Sequence, residues 1–593
     1  MKKVLATVAE AWVLVLAFLL PLKFGGFAVI PESGVFFPED GWSYLVVNWS
    51  PSVFSLVSAA ALVLAVLAHP ENLPSCRTAS GMFVLLWVAG LVPGAFPGWI
   101  HLSTKEFVFL QTEHFAGLSC CLGAFCLVLS AGERERKHFA AALGSGLLLA
   151  VWFGLEQFFW GFDRAREFLE KQAADGVQID EVMRARTYDT RVYGTFTSGN
   201  SLAGYLLLLT PFFTVLAWKI GGKVEPPRLS RVLFAGTVFL GAFSVFLMTK
   251  SRAGFLALAL TAGIALFFTS AKRWKKGVFA ALILCGIAAG AWYIHARGRG
   301  FLSMEARADY WRSSVILLAE NPLAGCGWGN FFFDHARIKN VRDHEASHDP
   351  HNLLMTMMQA GILPVLFLAA GMICPVAALL KQRKARPLAP EERAGLFGLA
   401  AFSMHAMMDI DLQIPGLMGA YFALSVLLLC GMEHPPCRAK GLPGKTGIPA
   451  VFLLAAGTVW FANRNLRGEI ALDRLQNLTR LGALSAADRL RVTPERVDEA
   501  LRRAVAARPE SSIPRIAGGD YYLSLGDLDR AEYEYREALK CSPKRSMLYA
   551  RLAQIELLRG NRPLAEEFLA EAHRLFPHNP AYFREKFFST EIP

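Results

Sequence analysis

An all-α protein, a polytopic helical membrane segment of about thirteen transmembrane helices followed by a helical repeat, is predicted by three observations. Of 593 residues, 54% are hydrophobic and only 19% are charged, against about 25% charged in average globular chains. The apolar residues gather into long runs that stop near residue 463. Beyond that point the composition turns polar and a fixed period appears. The charge deficit excludes an ordinary cytosolic enzyme and a disordered chain.

Crossing a hydrocarbon core of about 30 Å takes roughly 20 mostly apolar residues in a helix. Thirteen stretches qualify, near 4–22, 51–68, 81–97, 114–131, 139–161, 199–218, 232–248, 253–269, 278–294, 353–380, 394–409, 414–432 and 447–463. The first follows Met1-Lys2-Lys3 but lacks a small-x-small cleavage site, so it reads as a retained helix. With the N-terminus cytoplasmic, the inner loops hold 22 basic residues and the short outer loops four, Lys23, Lys105, Lys250 and Arg252. The positive-inside rule then fixes the orientation. An odd number of spans sends the C-terminal segment outside, which predicts residues 1–463 as a membrane domain and 464–593 as a domain on the outer side.

The net charge of +12 suggests a nucleic-acid partner, but the excess sits in inner loops, where topology and anionic lipid explain it. From Arg464 onward there are 22 basic and 19 acidic residues, too balanced for a phosphate-binding stripe. No nucleic-acid partner is expected. Cys120, Cys121, Cys126, Cys285, Cys374 and Cys430 lie in spans as small hydrophobes. Cys326 and Cys541 alone would face an oxidising compartment, so no disulfide framework is indicated.

In the C-terminal segment Pro509, Pro543 and Pro577 recur every 34 residues, as do Ala504, Ala538 and Ala572. Gly526 with Gly560 and Ala531 with Ala565 keep the same period. Small residues let paired helices approach and proline stops the second helix. The segments "YYLSLGDLDRAEYEYREALKCSP" and "AQIELLRGNRPLAEEFLAEAHRLFP" resemble the tetratricopeptide repeat, a solenoid whose groove takes a protein partner.

Chemistry is expected in two long outer loops, 162–198 and 295–352, because loops of this length are usually functional. In the second, Tyr310, Trp311, Val315, Leu317 and Leu318 suggest an amphipathic helix at the membrane surface between Arg307 and Phe332. Gly325-x-Gly327-x-Gly329 follows as a turn, and without a preceding strand it is not a nucleotide loop.

Several pieces resemble the O-antigen ligase and polymerase family of bacterial membrane glycosyltransferases: "RVYGTFTSGNSLAGYLLLLTP" at 191–211, "TKSRAGFLAL" at 249–258, Arg307 through "NPLAGCGWGNF", "HDPHNLLM" at 348–355 and "HAMMDIDLQIPG" at 405–416. They keep the family's order over roughly 190–420, and Pro364 departs from the family's pattern after Gly361. The resemblance implies transfer of a glycan from a polyprenyl-diphosphate carrier to an acceptor, such as a lipid A core, on the outer face of the inner membrane. It implies that Arg191 and Arg307 hold the diphosphate, with Arg252 as a third cation, and that His351 takes the acceptor's proton. His348, Asn352, His405 and Asp409 are supporting residues. Arg binds phosphate oxygens through a fixed fork, and a neutral His can accept a hydroxyl proton.

Read from the residues alone, each site has another meaning. Arg191 and Arg307 are equally interfacial snorkelling residues. His344, His348, Asp349 and His351 could cluster by chance or as a metal site, and chance is the preferred reading, so no metal is expected. Asp409 and Asp411 with His405 fit a proton relay or helix-end caps. Asn200 and Ser201 satisfy backbone at a helix start. With no nucleotide-sugar loop and no carboxylate metal pair in the sequence, direct displacement without cofactor is the simplest mechanism. The rival functions are a polymerase extending the glycan on its carrier, a protein-glycosylating ligase, a transporter or flippase, and a membrane-anchored scaffold. A transporter would show inverted repeats, and none is visible.

Overall fold

The computed structural model describes residues 2–28, 41–95, 107–269, 300–340, 350–432, 443–480 and 491–589, with single positions at 99, 277, 484 and 489. Among the described residues there is no strand, and eight helices are long and apolar enough to cross a membrane. Those helices make the chain a multi-pass membrane protein. The expected span at 278–294 lies outside the described residues.

The membrane helices are α1 (Lys2–Lys23), α2 (Pro51–Ala68), α3 (Ala79–Gly94), α4 (Val108–Leu129) and α5, which starts at Glu133–Glu156 and runs on to Ala174. They continue as α6 (Gly199–Gly221), α7 (Pro227–Met248) and α8 (Arg252–Thr269). Two helices of the 295–352 segment follow, α9 (Gly300–Glu320) and α10 (Phe331–Ile338), then the short α11 (Leu353–Met358). Four helices then follow, α12 (Ile362–Ala385), α13 (Pro390–Ala406), α14 (Pro415–Met432) and α15 (Pro443–Thr479), of which α12 and α14 belong to the eight long enough to cross. Helix α3 and the apolar part of α8, Arg252–Phe267, are shorter than the eight helices long enough to cross.

Which helices lie at the centre follows from side-chain size. Helices α4 and α14 are 89% buried over their apolar windows, whereas α7 is 22% buried. A Cβ on Gly117 of α4 would stand 2.5 Å from Ser55 Oγ of α2, and one on Gly416 of α14 would stand 2.2 Å from the Leu20 carbonyl oxygen. Backbones can meet this closely only where side chains are missing, and lipid-solvated bundles depend on such contacts because the tails are as apolar as leucine.

The expected single span at 353–380 is broken. Asn352 Oδ1 accepts from Leu354 N (2.9 Å) and Met355 N (3.1 Å) to start α11. The chain then turns at Gly361, whose φ of +94° favours glycine. Pro364 sits in the first turn of α12, where its missing N–H forfeits no helical bond. The departure at Pro364 therefore leaves α12 intact.

The expected outer-loop helix between Arg307 and Phe332 also needs correction. It ends at Glu320, and its stripe does not form one lipid-facing band: Tyr310 and Leu317 are buried against Cys326 and Phe331, while Val315 is half exposed.

The C-terminal segment folds as α16 (Pro494–Ala507), α17 (Ile513–Ser524), α18 (Leu528–Cys541), α19 (Ser546–Leu558) and α20 (Arg562–Leu575), each packed on the next. The 34-residue period has a structural counterpart. Ala504, Ala538 and Ala572 are buried at the helix crossings, and Gly526 and Gly560 adopt φ of +76° and +79° between helices. Helix α15 carries the chain into this stack without a break at 463/464, over 37 residues, about 55 Å.

A polar joint fastens α15 to the membrane helices. Asn465 Nδ2 donates to Phe109 O (3.1 Å) and Glu113 Oε2 (2.5 Å). Ser52 Oγ donates to Glu113 and to Glu469, and Arg508 Nη2 donates to Asn465 O at 2.8 Å. Burial pushes the Glu469 carboxyl up, and Arg508 draws it back.

Candidate active site

Arg191 is placed by two chain reversals that meet. Val192 N donates to Met248 O (3.1 Å), joining the segment before α6 to the end of α7. Arg191 Nε then donates to Thr249 O at 2.8 Å, and its Nη2 donates to Asn200 Oδ1. The same Asn200 oxygen accepts from Ser251 Oγ at 2.9 Å. Ser198, not Asn200, caps α6, accepting from Ser201 N at 3.1 Å. Asn200, expected to satisfy backbone, instead anchors the guanidinium. Gly199 makes room for it: a Cβ there would stand 2.9 Å from Arg191 Nε.

Arg191 is mostly withdrawn from water, which lowers its proton affinity. Asp189 and Asp409 oppose that shift, while Arg252 and Arg307 add to it. Three guanidiniums from three separate chain segments, Arg191, Arg252 and Arg307, thus share one electrostatic neighbourhood. Arg252 opens α8 with its side chain exposed, and Arg307 is partly buried on α9. A cluster of like charges held this close is stabilised by anions.

His351 stands beside Asp409, the carboxylate whose charge also acts on Arg191. Its backbone has φ of +50°, an uncommon conformation for a residue with a Cβ. Its Nδ1 lies 4.0 Å from Asp409 Oδ1, and its ring stacks on Tyr310 with centroids 5.8 Å apart and planes at 21°. Asn352 Nδ2 donates to Met407 O at 2.6 Å, tying the start of α11 to the end of α13. Asp409 Oδ1 accepts from Ile410 N at 2.8 Å, while its Oδ2 is buried with no partner among the described residues.

His405 is not at this surface. Its Nδ1 lies 2.8 Å from Asp411 Oδ2, and both side chains are fully buried. The ring packs on Gly204 of α6, where a Cβ would stand 3.0 Å from Nδ1. His405 therefore joins α6, α13 and the 409–411 turn behind the site, within electrostatic reach of Asp409 and Arg307. The sequence reading grouped His405 with both Asp409 and Asp411; the structure pairs the ring with Asp411 across the helix end. His348, with His344 and Asp349, lies outside the described residues.

The glycine run is a knot. Gly325, Gly327 and Gly329 have φ of +59°, +79° and +76°. Gly327 N donates to Gln359 O (2.8 Å), Gly329 N to Gln359 Oε1 (3.1 Å), and Ile362 N to Pro322 O (3.0 Å). These bonds tie the chain after α9 to the turn between α11 and α12, so the run's amides are used internally. Burial pushes the neighbouring Cys326 thiol well up, which keeps it unreactive.

The arrangement supplies three cations for a polyanion, an imidazole beside a carboxylate, and a fixed scaffold connecting them. Residues 235–370 match the family model of the O-antigen ligases. The match contains Arg252, Arg307, His351 and Asn352, whereas Arg191, His405 and Asp409 lie outside it. No curated protein matches the chain.

Proposed function

Because the chain carries an O-antigen ligase domain over residues 235–370, we propose that it transfers a glycan from a polyprenyl-diphosphate carrier to an acceptor hydroxyl at the periplasmic face of a bacterial inner membrane. The observation that carries the reading is that Arg191 shares an electrostatic neighbourhood with Arg252, Arg307 and Asp409, and that His351 Nδ1 lies 4.0 Å from the same Asp409.

In this reaction an acceptor O–H attacks the anomeric carbon. The bond from that carbon to the phosphate oxygen breaks, and the electron pair leaves with the polyprenyl diphosphate. Negative charge grows on the diphosphate, where Arg191 and Arg307 bind it and Arg252 adds to the field. His351 receives the hydroxyl proton, and Asp409 stabilises the imidazolium that results. One displacement inverts the anomeric configuration. The acceptor is a lipid A core or a similar glycan, and the C-terminal helices form a tetratricopeptide solenoid that takes a protein partner.

Arg307→Ala and His351→Ala should each abolish transfer while leaving expression and topology unchanged. Normal product from either variant would overturn the assignment. Loss of the gene separates ligase from polymerase: free polymer on its carrier marks a ligase, and single repeat units on the carrier mark a polymerase.

A further inference from the structure

The C-terminal helices hold more than their own membrane anchor. Lys544 Nζ donates to Asp334 Oδ1 at 2.7 Å, with the carboxylate largely buried. The Arg545 guanidinium lies 5.5 Å from the centre of the Phe333 ring. From the other side, Lys339 Nζ lies 5.2 Å from the Phe576 ring centre. All three contacts fall on α10 and the residue that follows it. An eight-residue helix has too few internal hydrogen bonds to hold itself, so its partners decide where it sits.

The opposite face of α10 meets the helix that carries Arg307. His335 Nδ1 is 3.0 Å from Ser313 Oγ, and its ring meets Tyr310 edge-on at 5.1 Å. Phe331 also packs edge-on against Tyr310. Just beyond α10, Asn340 N donates to Asp309 Oδ2 at 2.7 Å. Tyr310 in turn is the ring on which His351 stacks. A continuous packed route therefore runs from Lys544 and Arg545 through α10 to Tyr310, then to Arg307 on the same helix and to the His351 ring.

We propose that Lys544 and Asp334 are positioning residues for glycan transfer: the C-terminal helices clamp α10 against Tyr310 and so fix the His351 ring relative to Arg307. The proposal rests on the reading of Arg307 and His351 given above. It makes the C-terminal domain part of the transferase, not only an adaptor. A partner that shifts residues 544–545 would change the transfer rate without touching either substrate.

The test uses the purified full-length protein with a polyprenyl-diphosphate-linked glycan and its acceptor. Lys544→Glu and Asp334→Lys should each lower kcat about tenfold, as expected when like charges are set against each other at a site where one partner is largely buried, with a smaller change in donor KM. The double variant K544E/D334K should recover most of kcat, and Lys544→Arg should keep it. A purely folding role would lower the yield of folded enzyme and leave kcat per folded molecule unchanged, which overturns the proposal. Wild-type kcat in K544E, or no recovery in the double variant, overturns the proposal. Arg307→Ala and His351→Ala serve as separate arms. Full activity there refutes the transferase reading itself, whereas loss there with an unaffected K544E refutes only the clamp.

Discussion

Asn200 offers the sharpest test of how Arg191 is held. Its side-chain oxygen accepts from both Arg191 Nη2 and Ser251 Oγ. Asn200→Ala removes that acceptor but leaves the Arg191 Nε bond to Thr249 O and the Ser198 cap of α6. A hydrogen bond to a charged group contributes about 1.5–3 kcal/mol. With one of the two anchors kept, a loss near the bottom of that range is expected, which is about a tenfold fall in kcat/KM for the carrier-linked donor. Asn200→Asp should do worse despite its similar shape, because a carboxylate at this position neutralises the guanidinium that the diphosphate needs. Donor titrations with purified enzyme separate the two variants, the aspartate raising donor KM further. If Asn200→Ala keeps wild-type kcat/KM while Arg191→Ala is inactive, the anchor has no functional role and the reasoning fails.

Other perturbations follow from the scaffold. Gly361→Ala places a Cβ 2.1 Å from Leu323 O at φ of +94°, so the knot must open; strain and two lost backbone bonds predict about 3 kcal/mol, seen as a lower Tm in detergent. Glu392 pairs with Arg386 (2.6 and 2.8 Å) and accepts from Ala389 N (2.7 Å) at the start of α13. Arg386 holds its carboxyl below the usual range, so this stabilisation is present above the unfolded carboxyl value and is lost as pH falls through the depressed one. Glu392→Gln should cost about 1 kcal/mol at neutral pH, and the difference from wild type should vanish in acid unfolding titrations. Gly526→Ala and Gly560→Ala meet no neighbouring atom, so each should cost only the left-handed strain, about 1 kcal/mol, read as faster hydrogen exchange in the helices flanking that turn.

What the sequence disclosed and what it concealed divide along the distance between interacting residues. Apolar runs announce helices because the cue and the element occupy the same residues. The 34-residue spacing of Ala504, Ala538 and Ala572 announced close helix crossings for the same reason. Gly361 was visible as a glycine, but the break it makes depends on Leu323 and Gln359, which no local period encodes. Asn200 looked like a helix-start residue because its partner Ser251 lies 51 positions away. The three arginines were found through motif resemblance. The electrostatic neighbourhood they share depends on the turns at 189–201 and 248–254, which composition alone does not supply.

The unbroken α15 changes where this protein can be divided. The charge content shifts at 463, so a truncation or a chimera would naturally be cut there. That cut removes Asn465 and Glu469, strips Glu113 of its amide donor, and leaves a carboxylate buried among membrane helices at considerable cost. Loss of function after such a deletion would report a damaged membrane part, not a missing partner surface. A splice after residue 480 keeps Arg464, Asn465 and Glu469 with the helices they contact, although the joint then lacks Arg508. The exchangeable unit is the stack from Pro494 onward, and a donor stack grafted at that point would need a basic residue where Arg508 stands.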